Sequence, residues 1–66
     1  MKAKINGQVT DLEREMTIAE FLRAKGLPER LVAVEVNGRW LKREEWDAAL
    51  LKANDEVEVV RMFAGG

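Results

Sequence analysis

Few groups in this sequence can do chemistry, and the one placed most freely is the carboxylate of Gly66, at the end of Ala64-Gly65-Gly66. Two consecutive glycines have no side chain to bury and a large backbone entropy to lose, so they do not extend the apolar strand pattern before them. The plain reading of such a segment is a frayed chain end. The chemical reading is a terminal carboxylate on a thin tether: from Phe63 onward the chain can extend about 13 Å, enough to enter a narrow cleft in another protein. The side-chain acids offer less. Glu44-Glu45 and the group Asp55, Glu56 and Glu58 resemble paired acid/base carboxylates, but such groups must converge on a pocket. On a strand, Glu56 and Glu58 share an outward face, as solvated residues do. Their spacing also lacks the calcium loop of an EF-hand and its glycine. No catalytic residue and no metal site are expected.

Composition narrows the field further. A chain of 66 residues makes one small domain that buries only about 60% of the surface its unfolded form exposes, which disfavours a deep catalytic cleft. With no cysteine and no histidine, there is no disulfide framework, thiolate site, side-chain sulfur nucleophile or histidine-based acid/base pair. Eleven Lys+Arg against twelve Asp+Glu give a net charge of −1, so no positive field for nucleic acid is indicated. Met1-Lys2-Ala3-Lys4-Ile5 enters a strand pattern directly, unlike a signal peptide, and no apolar run reaches membrane-spanning length. A cytoplasmic protein with neither nucleic-acid nor membrane partners is the expectation.

The apolar residues that exceed the needs of one core point to a partner surface. Val60-Arg61-Met62-Phe63 places apolar groups on both faces of the last strand, and some must be exposed. Val60, Met62 and Phe63 are therefore docking candidates. Trp40, on a short strand, joins them because an aromatic there can anchor a partner; Trp46 reads as a core plug.

The elements that position these groups follow from period and punctuation. Met1 to Ile5 alternates as a half-buried strand, and Asn6-Gly7 is a hairpin signal. The returning strand, Gln8 to Leu12, has two registers open to it: a two-residue loop pairs Ile5 with Gln8 and puts Val9 on the Lys4 face, whereas a three-residue loop with a bulge sets Val9 opposite Ile5. Thr17-Ile18-Ala19-Glu20 is a capping box, with Met16 and Phe21 placed as a hydrophobic staple. Ile18, Phe21 and Leu22 make the apolar stripe, Gly26 provides a left-handed stop, Leu22 and Leu27 close a Schellman end, and Pro28 prevents continuation. Leu31 to Val36 is β-prone, with Val32, Val34 and Val36 on one face, and ends at Asn37-Gly38 before a short strand at Arg39-Trp40-Leu41. Lys42 to Lys52 carries Trp46, Leu50 and possible partner Leu51 at helical spacing, read as a brief helical turn. Asp55 to Phe63 alternates again, with Val57 and Val59 inward. One helix on one face of a small mixed sheet makes an α+β roll.

Taken together, the Asn-Gly hairpin, the capped helix, Val36-Asn37-Gly38, Arg43, Trp46, Leu50, Asn54-Asp55 and the terminal Gly65-Gly66 resemble the ThiS family, the sulfur carrier proteins of thiamin biosynthesis, over the whole chain. Leu41 to Trp46 is closer to this branch than to the small subunit of molybdopterin synthase, whose last strand usually carries prolines. Asn54 stands where the family usually has glycine, a change that a left-handed turn tolerates. The resemblance implies a ubiquitin-like β-grasp domain over residues 1–63, a small mixed sheet packed on one main helix, with a flexible tail at 64–66. It also implies a carrier rather than an enzyme. The Gly66 carboxylate would be adenylated by a ThiF-type partner resembling ubiquitin-activating enzymes, which uses ATP while the carrier itself binds no cofactor. Sulfur from a persulfide donor such as a cysteine desulfurase would then give a thiocarboxylate for a ThiG-type thiazole synthase. Another sulfur carrier or a protein modifier of the same fold is the neighbouring alternative, and a β-grasp binding module with an incidental Gly-Gly end the distant one.

Overall fold

The computed structural model describes residues 1–62. The expected domain boundary after residue 63 and the tail at 64–66 lie outside them. Strand β1 (Lys2–Ile5) turns at Asn6-Gly7 into β2 (Gln8–Asp11). Asn6 and Gly7 have φ of +49° and +83°, the pair of positive angles that a type I′ turn needs and that Asn-Gly supplies at least strain. The two-residue register is the one adopted: Ile5 pairs with Gln8 and Lys4 with Val9. Val9 consequently faces solvent and is 68% exposed.

A two-residue strand β3 (Met16–Thr17) leads into α1 (Ile18–Ala24). Thr17 caps the helix as its sequence dictates. Its hydroxyl accepts from the Glu20 amide at 3.1 Å, and the Glu20 carboxylate accepts from the Thr17 amide at 2.8 Å. That backbone donor holds the Glu20 carboxyl below its ordinary pKa, with Arg14, the Thr17 side chain and Arg23 adding to the effect against a smaller opposing desolvation. At the other end Gly26, at φ +68°, lets the chain reverse. The Gly26 amide then donates to the Arg23 carbonyl at 3.0 Å and the Leu27 amide to Leu22 at 2.9 Å, the two bonds of a Schellman motif. Met16 packs against the core that contains Phe21.

After a 3-10 turn at Glu29–Leu31, β4 (Val32–Val36) turns at Asn37-Gly38 into β5 (Arg39–Trp40), and β7 (Glu56–Arg61) closes the chain. The five strands are ordered β2-β1-β7-β4-β5, with β7 parallel to β1 and antiparallel to β4. Alternation puts Ala3, Val32, Val34 and Val57 on the face that meets Ile18, Phe21 and Leu22 of α1, and these residues are buried. The core is completed by Leu12, Ala19, Trp46 and Leu51.

The stretch from Lys42 to Lys52 departs from the helical expectation. A 3-10 turn spans Arg43–Glu45, and Leu50–Leu51 forms β6, which pairs with β3 in a second, two-stranded sheet. The cause lies in the carbonyls. Those of Ala49 and Trp46 accept from the Ile18 and Ala19 amides at 2.9 and 3.1 Å, satisfying donors that the start of α1 would otherwise leave open. With those acceptors committed to α1, the segment follows the helix start rather than coiling on itself. Leu51 is therefore buried, while Leu50 points out and is 48% exposed. Asn54, at φ +71°, takes the left-handed conformation expected of it. Among the described residues, no helix is long and apolar enough to cross a membrane.

Candidate functional site

The face of the main sheet turned away from α1 is open, and it carries three of the four docking candidates or their immediate continuation. Directly opposed residues of antiparallel strands share a face. Trp40 opposes Glu35, Glu35 opposes Glu58, and Ala33 opposes Val60, so these five side chains lie on one surface. Trp40 is 53% and Val60 46% exposed. Met62 follows two residues after Val60 and is also exposed; its amide donates to the Leu31 carbonyl at 2.7 Å, which continues the β4–β7 ladder past the end of the strand. Trp40 sits two strand spacings from β7, on the order of 10 Å. The surface thus runs from an indole over the acid pair to an apolar corner formed by Val60, Met62 and the exposed Leu31. The fourth candidate, Phe63, and the expected reactive segment Ala64, Gly65 and Gly66 lie outside the described residues.

Leu31 and Ala33 were legible as members of this surface but were not singled out. The alternation that turns Val32, Val34 and Val36 inward turns Leu31, Ala33 and Glu35 outward. Arg43 was named only within the family pattern. Its guanidinium donates to the Glu29 carbonyl at 2.7 Å and the Arg30 carbonyl at 2.8 Å, and lies 5.2 Å from the centre of the Trp46 ring. Trp46 itself is a core residue, and its indole N–H has no partner among the described residues.

The acids behave as solvated or turn-forming groups. Glu56 and Glu58 are exposed, one on each side of inward-facing Val57. Asp55 accepts from the Lys52 amide at 2.8 Å and from the Asn37 side chain at 3.0 Å, fixing the turn into β7. Glu45 accepts from the Lys42 amide at 2.8 Å and pairs with Arg39 at 3.2 Å. The Lys42 amide first, then Arg39, lowers its pKa. Among the described residues no group of three or more Asp and Glu side chains is placed to hold a metal ion.

Asn6 and Asn37 do more than turn the chain. The Asn6 side chain accepts from the Val59 amide at 2.7 Å and donates to the Val59 carbonyl at 3.3 Å. The Asn37 side chain accepts from the Glu56 amide at 2.9 Å. Each hairpin tip therefore grips β7, the strand that leads to the docking corner and on toward Gly66.

A mixed sheet wrapped on one helix, with its last strand central and an open apolar face beside the end of that strand, defines a ubiquitin-like β-grasp protein. The crystal structure of the thiamine biosynthesis protein ThiS from Geobacter metallireducens superimposes with a TM-score of 0.88 at 32% identity, covering all of both chains. An NMR solution structure of a thiamine biosynthesis protein from the same organism gives a TM-score of 0.81 at 33% identity, covering all of this chain and 88% of the other. The ThiS family model matches residues 3–66, and the chain belongs to the ThiS family. A thiazole synthase from Magnetococcus marinus is 33% identical over 66 residues, and the chain spans all of its own length but only 20% of that relative's. Family membership and these relatives support a sulfur-carrier role.

Proposed function

We propose that this protein is a sulfur carrier for thiazole formation in thiamin biosynthesis, acting in the cytoplasm through the carboxylate of Gly66. The observation that carries the reading is the open corner of Val60, Met62 and Leu31 at the end of β7, which places a partner-facing surface beside the root of the segment that bears Gly66. A carboxylate is a poor acyl donor because its charge opposes attack. A ThiF-type activating enzyme supplies ATP; the Gly66 oxygen attacks the α-phosphate, pyrophosphate leaves, and AMP becomes the leaving group for an incoming sulfur nucleophile. Sulfur originates from a persulfide donor such as a cysteine desulfurase, and the thiocarboxylate passes it to thiazole synthase. The printed name of the Magnetococcus relative, a thiazole synthase that contains a segment similar to this whole chain, supports that choice of acceptor. The protein is a co-substrate in this scheme and not the catalyst.

Intact mass after incubation with ATP, a ThiF-type enzyme and a sulfide source tests the reading. A gain of about sixteen mass units, sulfur for oxygen, is expected of an activated carboxyl. It should be absent when Gly66 is deleted, with thermal unfolding nearly unchanged, as for a terminal residue. No mass change with any of several activating enzymes removes the carrier reading.

A further inference from the structure

We infer that Arg43 is a positioning residue for carboxyl activation: it fixes the point from which the Gly66-bearing segment leaves the domain. The inference rests on the carrier reading above. The guanidinium forks onto two successive carbonyls, Glu29 at 2.7 Å and Arg30 at 2.8 Å. The next carbonyl along, that of Leu31, receives the Met62 amide at 2.7 Å, the last backbone bond of β7 among the described residues. Arg43 thus holds the acceptor side of the rung at which the segment departs.

Arg43 is itself held from two directions. Its carbonyl accepts from the Trp46 amide at 3.1 Å, and its guanidinium lies 5.2 Å from the centre of the ring of Trp46, which is fixed in the core. A planar fork pinned on an aromatic face loses little further freedom in forming its two bonds. The Glu29 and Arg30 carbonyls are on an exposed turn, where water can satisfy them. The fork therefore contributes location more than hydrogen-bond count. A lysine reaches one carbonyl at a time and cannot impose the same geometry.

The consequence for activation follows from tether length. Four residues follow Met62, a reach of about 13 Å. If the Met62 rung opens, the departure point retreats into β7 and the tether lengthens by one or two residues. The effective concentration of a tethered group falls with about the −3/2 power of length, so the loss is about twofold from length alone, and misorientation adds to it.

Two variants test this, Arg43→Met, which keeps an apolar stem against Trp46 without donors, and Arg43→Lys, which keeps the charge without the fork. Hydrogen exchange at the Met62 amide should accelerate about tenfold in Arg43→Met, the worth of a charge-assisted bond, and less in Arg43→Lys, while the Leu22 and Val34 amides hold their rates. With a ThiF-type enzyme, pyrophosphate release should show a kcat at least twofold lower and a KM for the carrier that changes less. Unchanged Met62 exchange, or core amides accelerating in step with it in both variants, overturns the assignment; so does faster Met62 exchange with an unaltered kcat. If the unmodified protein is not activated at all, it is the carrier reading that fails, and Met62 exchange still decides whether Arg43 anchors the rung.

Discussion

Replacing Asn6 separates what the side chain does from what the turn needs. Asn6→Gly keeps the left-handed backbone, since φ is +49°, but removes the bonds to the Val59 amide at 2.7 Å and the Val59 carbonyl at 3.3 Å. The Asn6 amide donates to the Val57 carbonyl at 2.8 Å, so the side chain extends the β1–β7 ladder one rung beyond the strand. Both lost bonds are solvent-accessible. The shorter one is worth about 1 kcal/mol net and the longer one less, giving about 1–2 kcal/mol in all. For a domain of this size that lowers Tm by roughly 5–10 °C. Asn6→Asp is the sharper variant, because it keeps the oxygen that accepts from Val59 and replaces the donor with a second acceptor facing the Val59 carbonyl. It should be destabilised too, at a pH where the new carboxyl is ionised. Urea unfolding followed by the fluorescence of buried Trp46 measures both, with m unchanged and the midpoint reduced. An Asn6→Gly midpoint within about 0.3 kcal/mol of the parent, together with an Asn6→Asp midpoint equal to it, would refute a role for the side chain and leave only the turn.

The neighbouring leucines of β6 should respond oppositely: Leu51→Ala, at a fully buried site, costs about 2–5 kcal/mol, whereas Leu50→Ala, on the outer side, stays within about 0.5 kcal/mol in the same urea assay. Equal losses would contradict the two-stranded second sheet. Acid should also weaken the fold through Glu20 and Glu45. Their folded carboxyls lie below the ordinary value, so the folded state binds fewer protons; the stabilisation is present above about pH 4.3 and is lost as pH falls toward the folded values. Glu20→Gln and Glu45→Gln, which keep an acceptor but do not titrate, should flatten the acid limb of a Tm-against-pH curve, and an unaltered limb would count against the capping geometry.

Most of the fold was legible because its signals are local. The capping box at Thr17 and Glu20, the Gly26 stop and the two Asn-Gly turns each need only a few adjacent residues, and all occur where the sequence placed them. Val32, Val34 and Val57 alternate into the core as their period requires. The hairpin register stayed open in the sequence because Gln8 and Val9 carry no strong preference for a face; pairing with β1 decides it. The 42–52 stretch misled for a different reason. Trp46 and Leu50 are four apart, as on a helix, but the Trp46 and Ala49 carbonyls serve the α1 amides, a demand that arises about thirty residues earlier in the chain and leaves no trace in local spacing. The docking surface was half legible: Trp40, Val60 and Met62 are exposed as expected, while Leu31 and Ala33 complete it through strand pairing. Arg43 was invisible as an anchor because its partners, Glu29 and Arg30, are backbone oxygens that any residue type would present.

The strand order has one more consequence, for the moment at which a newly made chain becomes a domain. β1 and β4 each border β7 and do not touch one another in the sheet. Before Glu56–Arg61 emerges, the chain holds two separate hairpins, neither of which is stable alone in water. The contacts that join them span most of the sequence, so they form late and together. A nascent chain halted ahead of β7 therefore has no seam along which to close, and is left to proteases rather than to partners. The strand made last is the keystone, and the segment bearing Gly66 follows directly from it, so docking competence and the approach to that segment arise in the same folding event.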